Sequence, residues 1–480
     1  MKKATIRILS CAAILSFAAQ SGYTQSGGTL KWAKEISTNG GNSGSYISST
    51  NTGDLLIANS FLQSVTLNGG TVAEISLSGT GGRDTFLARY NSAGTLLWAK
   101  QAVSTSDIGC APTSISSDAD GNSIITGYWH GNITLGAGET NETTFTHLDT
   151  EIINHFIAKY APNGTLLWAR QVANSVGKDV AVDANGDILV TGELRNYTIF
   201  GEGEANATTL YRTGIQDMFL AKYDSDGVLL WVKKAAGSAG NRCGGETVAL
   251  DSLGNALVAG YIEGEVLFGD GDAVPTTLTG AGGHDIFIAK FAPDGALLWA
   301  KRAGGTDFDA PKGIITDDSG NSIITGHIVG DVAYFGTGES NETTLAPLGN
   351  SDIFIAKYAP GGTLIWAKNA GGTGAAYGFG IAGSENGSSI ITGIFKGEAT
   401  FGAGEINATT LIGSEDKNSM YIAKFDSNGT LLWAAGADPS NLSTNWATDV
   451  ASDRDGNGLV LGFFNAAITL GAGEPNETSL

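Results

Sequence analysis

Residues 156 to 170 read Phe-Ile-Ala-Lys-Tyr-Ala-Pro-Asn-Gly-Thr-Leu-Leu-Trp-Ala-Arg. Period-two alternation puts Phe156, Ala158 and Tyr160 on one face of the first run, and Leu166, Trp168 and Arg170 on one face of the second. Between them, Asn caps a tight turn through its own side chain and Gly supplies the positive φ that a hairpin's right-handed twist requires. The stretch therefore reads as a β-hairpin. Its Trp, in the context (Leu/Ile/Lys)-Trp-(Ala/Val), recurs at Trp32, Trp98, Trp168, Trp231, Trp299, Trp366 and Trp433, at spacings of 66, 70, 63, 68, 67 and 67. A period near 67 residues exceeds a solenoid coil of about 20 to 50 residues. It suits a four-stranded antiparallel blade with one long connection.

Working outward from the hairpin, each unit holds four strand-like pieces, here lettered A to D. Strand A is a short run before an Asp, as at 180–183 and 247–251; strand B follows a tight turn and ends in Thr-Gly, as at 123–127, 187–192 and 322–326. Strands C and D are the hairpin above. Asp-x-x-Gly turns at 118–121, 183–186, 251–254 and 453–456 join A to B. Much of the glycine, 70 residues of 480, is thus turn punctuation.

Counting strands exposes an asymmetry. The chain opens at a D strand near residue 29 and stops after strand B of the last unit, so there are seven D strands but six C strands. A lone amino-terminal strand is an unpaired edge unless it completes the last blade. The expected architecture is all-β: a seven-bladed β-propeller of four-stranded antiparallel blades, its ring closed by the N-terminal strand and its last blade incomplete. Either the chain lacks a further C strand at its carboxyl end, the favoured reading, or the closing blade has three strands.

Composition excludes other classes. Hydrophobic residues at 42% can bury a large core, charged residues are 16% against a usual level of about 25%, and a net charge of −21 argues against nucleic acid or an anionic membrane as partner. At the amino terminus Lys2, Lys3 and Arg7 precede an apolar run from Ile8 to Ala19. That run is too short for a membrane span of about 20 residues but suits a signal peptide. Residues 1–25 are expected to be a leader and 26–480 one propeller domain, secreted, surface-exposed or periplasmic. No transmembrane segment is expected once the leader is removed.

The pattern Asp-x-x-Gly-Asn-Ser-Ile-Ile-Thr-Gly, then Asp-Ile-Phe-Ile-Ala-Lys-Tyr, then Asn-Gly-Thr-Leu-Leu-Trp-Ala-Lys resembles the bacterial β-propeller repeat family of SBBP type, whose members are described as seven-bladed. The resemblance implies the fold and an extracytoplasmic setting, and carries no catalytic residues. Gly four residues ahead of Trp, as at Gly164, Gly295 and Gly429, is also similar to the docking repeat of quinoprotein propellers. Those normally have eight blades, a calcium-bound quinone and a dedicated carboxylate base, and seven units count against them. The plainer reading is a Trp wedged between blades for its large buried area. Lys or Arg two residues after Trp, as in Lys100 and Arg170, reads as charge guarding an outer strand edge.

Three sets of residues are candidates for function. The connection from B to C repeats Gly-x-Gly-Glu-x-Asn, whose acids Glu139, Glu204, Glu339, Glu405 and Glu474, with Asp272 at the matching place, could offer hard oxygen ligands to Ca²⁺; a solvated turn is the plainer alternative. Residues that break the repeat, namely Trp129, His130, Arg195, Asp307, Asp309, His327 and Trp446, are candidates for a binding site, since the ring brings loops of different blades together. Cys110 and Cys243 occupy matching positions two blades apart, too far for the Cα separation of about 7 Å that a disulfide tolerates, so two free thiols are expected. The five histidines lack metal-ligand spacing.

These features point to an exported propeller with no catalysis of its own and no cofactor. It is expected to be a monomeric binding or adhesion scaffold for a protein or glycan. The competing readings are a propeller enzyme, quinoprotein-like or a hydrolase or lyase, with its site at a channel mouth, and the binding module of a longer surface protein.

Overall fold

The computed structural model describes residues 9–18, 29–39, 45–68, 73–146, 153–437, 444–465, 469–470 and 478–479. Among them are seven four-stranded antiparallel units in the order A-B-C-D. In the second, Cys110–Ser117, Ser123–Trp129, Asn154–Tyr160 and Leu166–Val172 pair side by side. Each inner strand A neighbours the next, and the circle closes where Asn445–Ser452 meets Ser45–Ser49. There the Ile47 N–H donates to the Asp449 carboxylate at 3.0 Å and the Ser49 hydroxyl to the Ser452 carbonyl at 2.6 Å.

Strands B and C are buried on both faces, as in Ile188–Leu194 and Asp217–Tyr223, because each blade is sandwiched between two others. The recurring glycine expected to end strand B lies inside it, as Gly127 does in Ser123–Trp129, and it has a steric cause. A Cβ on Gly260 would lie 2.0 Å from the Gly244 carbonyl oxygen of strand A and 2.7 Å from the Phe287 ring of strand C.

The repeated Trp binds one blade to the next. Trp98 Nε1 donates to the Pro162 carbonyl, Trp168 to Ser225, Trp231 to Pro293, Trp299 to Pro360 and Trp366 to Ser427, each acceptor lying in the C–D turn of the following blade. The turn glycine sits beneath the indole: a Cβ on Gly362 would meet Trp299 at 2.7 Å. The same carbonyls receive the strand-C cation of the preceding blade, as Lys159 reaches Ser225 and Lys357 reaches Ser427. Those lysines also pair with the Asp of their own A–B turn, Lys159 with Asp118 at 3.0 Å and Lys290 with Asp251 at 2.8 Å, all four side chains being buried.

Two expectations need correction. Strand D is not the outer edge in most blades, because the B–C connection folds into a further hairpin, such as Asn132–Leu135 with Thr143–Thr146, that leans on strand D of the preceding blade. The strand-D lysines therefore reach partners instead of guarding a free edge. Nor does the last blade have three strands: Leu9–Ala18 pairs with Gly458–Phe464 on one side and Thr29–Asn39 on the other, standing in the C position. Residues 1–8 and 19–25 of the expected leader lie outside the described residues. No described helix is long and apolar enough to cross a membrane.

Candidate functional site: the channel mouth

Antiparallel order puts the D–A loops and B–C connections on one face of the ring, and the A–B and C–D turns on the other. On the first face strand A carries a β-bulge in six blades, at the same place each time. The register skips Thr113, Lys178, Glu246, Lys312, Phe379 and Thr448. A bulge re-aims one side chain without breaking the sheet. All six residues line a central channel of about 1080 Å³, joined by Tyr46 of the first blade.

The bulged residues build a charged arc. Lys312 Nζ lies 2.9 Å from Glu246, and Lys178 Nζ lies 3.1 Å from Glu193 and 3.8 Å from Glu246; Arg195 pairs with the other Glu193 oxygen at 3.0 Å. Burial pushes Glu246 up, but Lys312 and Lys178 outweigh it and hold the carboxyl below its ordinary value. Burial likewise lowers Lys178, and Glu246 and Glu193 reverse the effect. The other side of the mouth is aromatic: Phe379, half-exposed Trp446 and Phe463 line the channel, and Tyr377 stacks near Phe379.

One layer deeper, Asp179 and Asp449 occupy matching positions and staple blades together. Asp179 accepts from Ser114 of the blade before, and from Thr247 and Val248 of the blade after; Asp449 accepts from Ile47 and Val450. Protein surrounds Asp449 although its carboxylate faces the channel. That burial raises it to about 7, against the pull of the two amides and with a push from the charge of Asp179. Tyr46, facing Asp449, Asp179 and Glu246, is raised by burial and those charges.

The structure sorts the repeat-breaking candidates. Arg195 and Trp446 line the channel, and His327 packs edge-on against Tyr377 near its rim, with ring centroids 4.9 Å apart. Burial, with Lys312 nearby, lowers His327 to about 4, so the imidazole is neutral. The others serve the fold. Trp129 is fully buried and stacks on Phe145; His130 is buried, its backbone bonded to Gly109; Asp309 accepts from Gly305 and Val329 and is raised by burial to about 6; Asp307 accepts from Asp331.

The repeated acids are engaged by groups of their own and the preceding blade. Glu139 takes Lys100 of the preceding blade on one oxygen at 2.5 Å and the Leu166 N–H on the other at 2.6 Å. Asp272 does the same with Lys233 and Leu297, Glu339 with Lys301 and Leu364, and Glu405 with Lys368 and Leu431. Glu204 accepts from Leu229 and lies 3.9 Å from Arg170. These acids latch neighbouring blades together. Glu474 lies outside the described residues. Among the described residues no cluster of three or more His, Cys, Asp or Glu is placed to hold a metal ion. Cys110 and Cys243 are free and fully buried, and burial pushes the Cys110 thiol up to about 12.

No protein-family model matches the chain. It is 25% identical to an uncharacterized WD repeat-containing protein, L264, of Acanthamoeba polyphaga mimivirus, over 91% of this chain. The match spans about a third, 36%, of the relative's length. The chain is also similar to the Neurospora crassa Pan2 WD40 domain, with 9% identity over 74% of this chain and 94% of that one, at a TM-score of 0.34. A Dyadobacter fermentans protein of unknown function is similar at 10% identity, over 68% of this chain and 93% of that one, at a TM-score of 0.33. The mimivirus relative supports a β-propeller repeat protein and does not single out the bacterial family named above.

The bulge ring was not found by sequence reasoning. Its only signal is an extra residue of variable type just ahead of the regular strand-A pattern.

Proposed function

We propose that this chain is an exported, non-catalytic β-propeller whose channel mouth binds a protein partner at the bacterial cell surface or outside the cell. The bulge ring carries the reading. The packed positions of the blades repeat almost unchanged, whereas the six bulged positions hold two hydroxyls, two ammoniums, a carboxylate and a phenyl ring. Varied side chains at one repeated position that faces open space are what recognition of one particular ligand requires. Exposed aromatics and Arg beside charge fit a protein surface. Lys178, Glu246, Lys312 and Arg195 there are held in ion pairs, which suits recognition better than proton transfer. The WD-repeat likeness of the viral relative agrees with an interaction scaffold.

Export is supported by the basic start and the 12-residue apolar run that follows. An enzyme remains the second reading on one observation, Asp449 near 7, a value suited to general acid or base work. Its oxygens are committed to backbone amides, which favours a structural role.

Expression with the native amino terminus, followed by fractionation and N-terminal sequencing, tests export. Recovery of leader-free protein outside the cytoplasm is expected; retention of Met1 in the cytoplasm overturns it. For binding, a partner cross-linked to the wild type should be lost with Phe379→Ala/Trp446→Ala at unchanged melting temperature.

A further inference from the structure

The channel mouth is divided in two. The third, fourth and fifth blades supply its charged arc, and the others supply rings: Phe379 from the sixth, Trp446 and Phe463 from the seventh, Tyr46 from the first and Tyr128 from the second. Within the arc the acids are sunk and the bases stand out. Arg195, Lys312 and Lys178 keep 48%, 33% and 29% of their side chains exposed, whereas Glu246 keeps 15% and Glu193 3%. An incoming ligand thus meets three cations with two carboxylates behind them. An ammonium has three donors, and among the described residues Lys312 spends one, on Glu246.

The charge changes sign with depth. Asp179 and Asp449 lie one layer below, and a Cβ on Gly380, next to Phe379, would stand 2.8 Å from the Asp449 carboxylate. An anion is attracted at the mouth and opposed further in. Lys312 and Phe379 hold the same bulge position in adjacent blades whose inner strands touch, since a Cβ on Gly313 would meet Ile381 at 2.7 Å. A ligand that uses both carries its anionic and apolar groups side by side.

The bore selects a chain end. Its lining follows most inner strands for five residues, as in Lys178–Val182 and Phe379–Gly383, which is about 17 Å at about 3.3 Å per residue. A volume of about 1080 Å³ over that length gives a mean section of about 65 Å². One extended chain occupies about 48 Å², the product of a strand spacing of about 4.8 Å and a sheet spacing of about 10 Å. One chain fits, and the two arms of a loop do not.

We propose that the channel mouth captures the carboxyl terminus of a partner chain that ends in an aromatic or large aliphatic residue. The terminal carboxylate meets Lys312, Lys178 and Arg195 through charge-assisted hydrogen bonds. The last side chain packs on Phe379 and Trp446. This rests on the protein-binding reading above and adds the partner's chemistry to it.

The test follows fluorescence anisotropy of dye-labelled hexapeptides added to the full 480-residue chain. One is Gly-Ser-Gly-Ser-Gly-Phe as the free acid, the second is the same sequence as its C-terminal amide, and the third holds Asp-Phe inside an amidated peptide. The free acid should bind at least about tenfold more tightly than either of the others. Lys312→Gln should bring the free acid down to the level of the amide and leave the amide unchanged, a pattern that misfolding does not produce. Arg195→Gln supplies the same readout if Lys312→Gln does not fold. Equal binding of acid and amide, binding of the internal Asp-Phe peptide as tightly as the free acid, or no peptide binding at about 1 mM overturns the proposal. Binding of an oligogalacturonate in place of the peptides also overturns it. The underlying reading fails separately. A protein adduct at position 379 without preference for the free acid removes the terminus alone, whereas that preference without a host adduct keeps the terminus and removes the protein partner.

Discussion

The indole Nε1 of Trp231 donates a 2.9 Å hydrogen bond to the carbonyl of Pro293, 62 residues further along and one blade away. Trp433 occupies the same repeat position but has no acceptor among the described residues. Trp231 is partly buried and Trp433 buried; replacing the first with Phe removes a hydrogen bond, and replacing the second removes an unpaired buried N–H. Trp231→Phe should destabilise more than Trp433→Phe by about 1 kcal/mol in urea unfolding. Equal losses would mean the indole bond contributes nothing to holding the blades.

The strand-C cations serve a buried ion pair. Lys290 and Asp251 meet at 2.8 Å with both side chains nearly inaccessible. Lys290→Met leaves a buried carboxylate uncompensated and should cost about 3 to 5 kcal/mol. Adding Asp251→Asn should recover part of that loss in a double-mutant cycle. Purely additive losses would count against the pairing.

Stability should respond to pH in two opposite ways. Burial raises Asp118, Asp251, Asp317, Glu139 and Glu339, but hydrogen bonds and their lysines outweigh it and hold them below their ordinary values. Their stabilisation is present above the unfolded value of about 4 and is lost as pH falls through the folded values. Asp449 runs the other way. Raised to about 7 from 3.8, it retains a proton on folding that the unfolded chain releases, so stability falls as pH rises between those values and then levels. Asp449→Asn should lack that fall. Urea unfolding at pH 5 and pH 8 checks it, and an unchanged difference between the two pH values in the variant would contradict the assignment.

Much of the ring was legible because its punctuation is local. Trp, turn Asp and turn Gly sit within one hairpin, and each has a job that sequence spacing reveals. What was illegible depends on neighbours far along the chain. Glu139 looks like a loop acid until Lys100, 39 residues earlier and one blade back, is seen to hold it. The bulge that turns Lys178, Glu246 and Phe379 into the channel is a one-residue slip, which interrupts alternation and hides strand A's first half. Trp129 and Asp309 break the repeat for packing and loop capping, so departure from a repeat does not by itself mark a site. Leu9–Ala18 reads as a leader by its composition, and the strand count that left the closing blade short of a C strand did not point to this segment as the one that fills the position.

Recognition at the channel mouth is tested most directly by site-specific photocrosslinking in the native host. A benzophenone side chain placed at Phe379 lines the channel, and one at Leu253, 78% exposed in an A–B turn, reports the opposite face. A single protein adduct from position 379 and none from position 253 is the expected result. Adducts of equal yield from both faces, or none from position 379, would contradict the account.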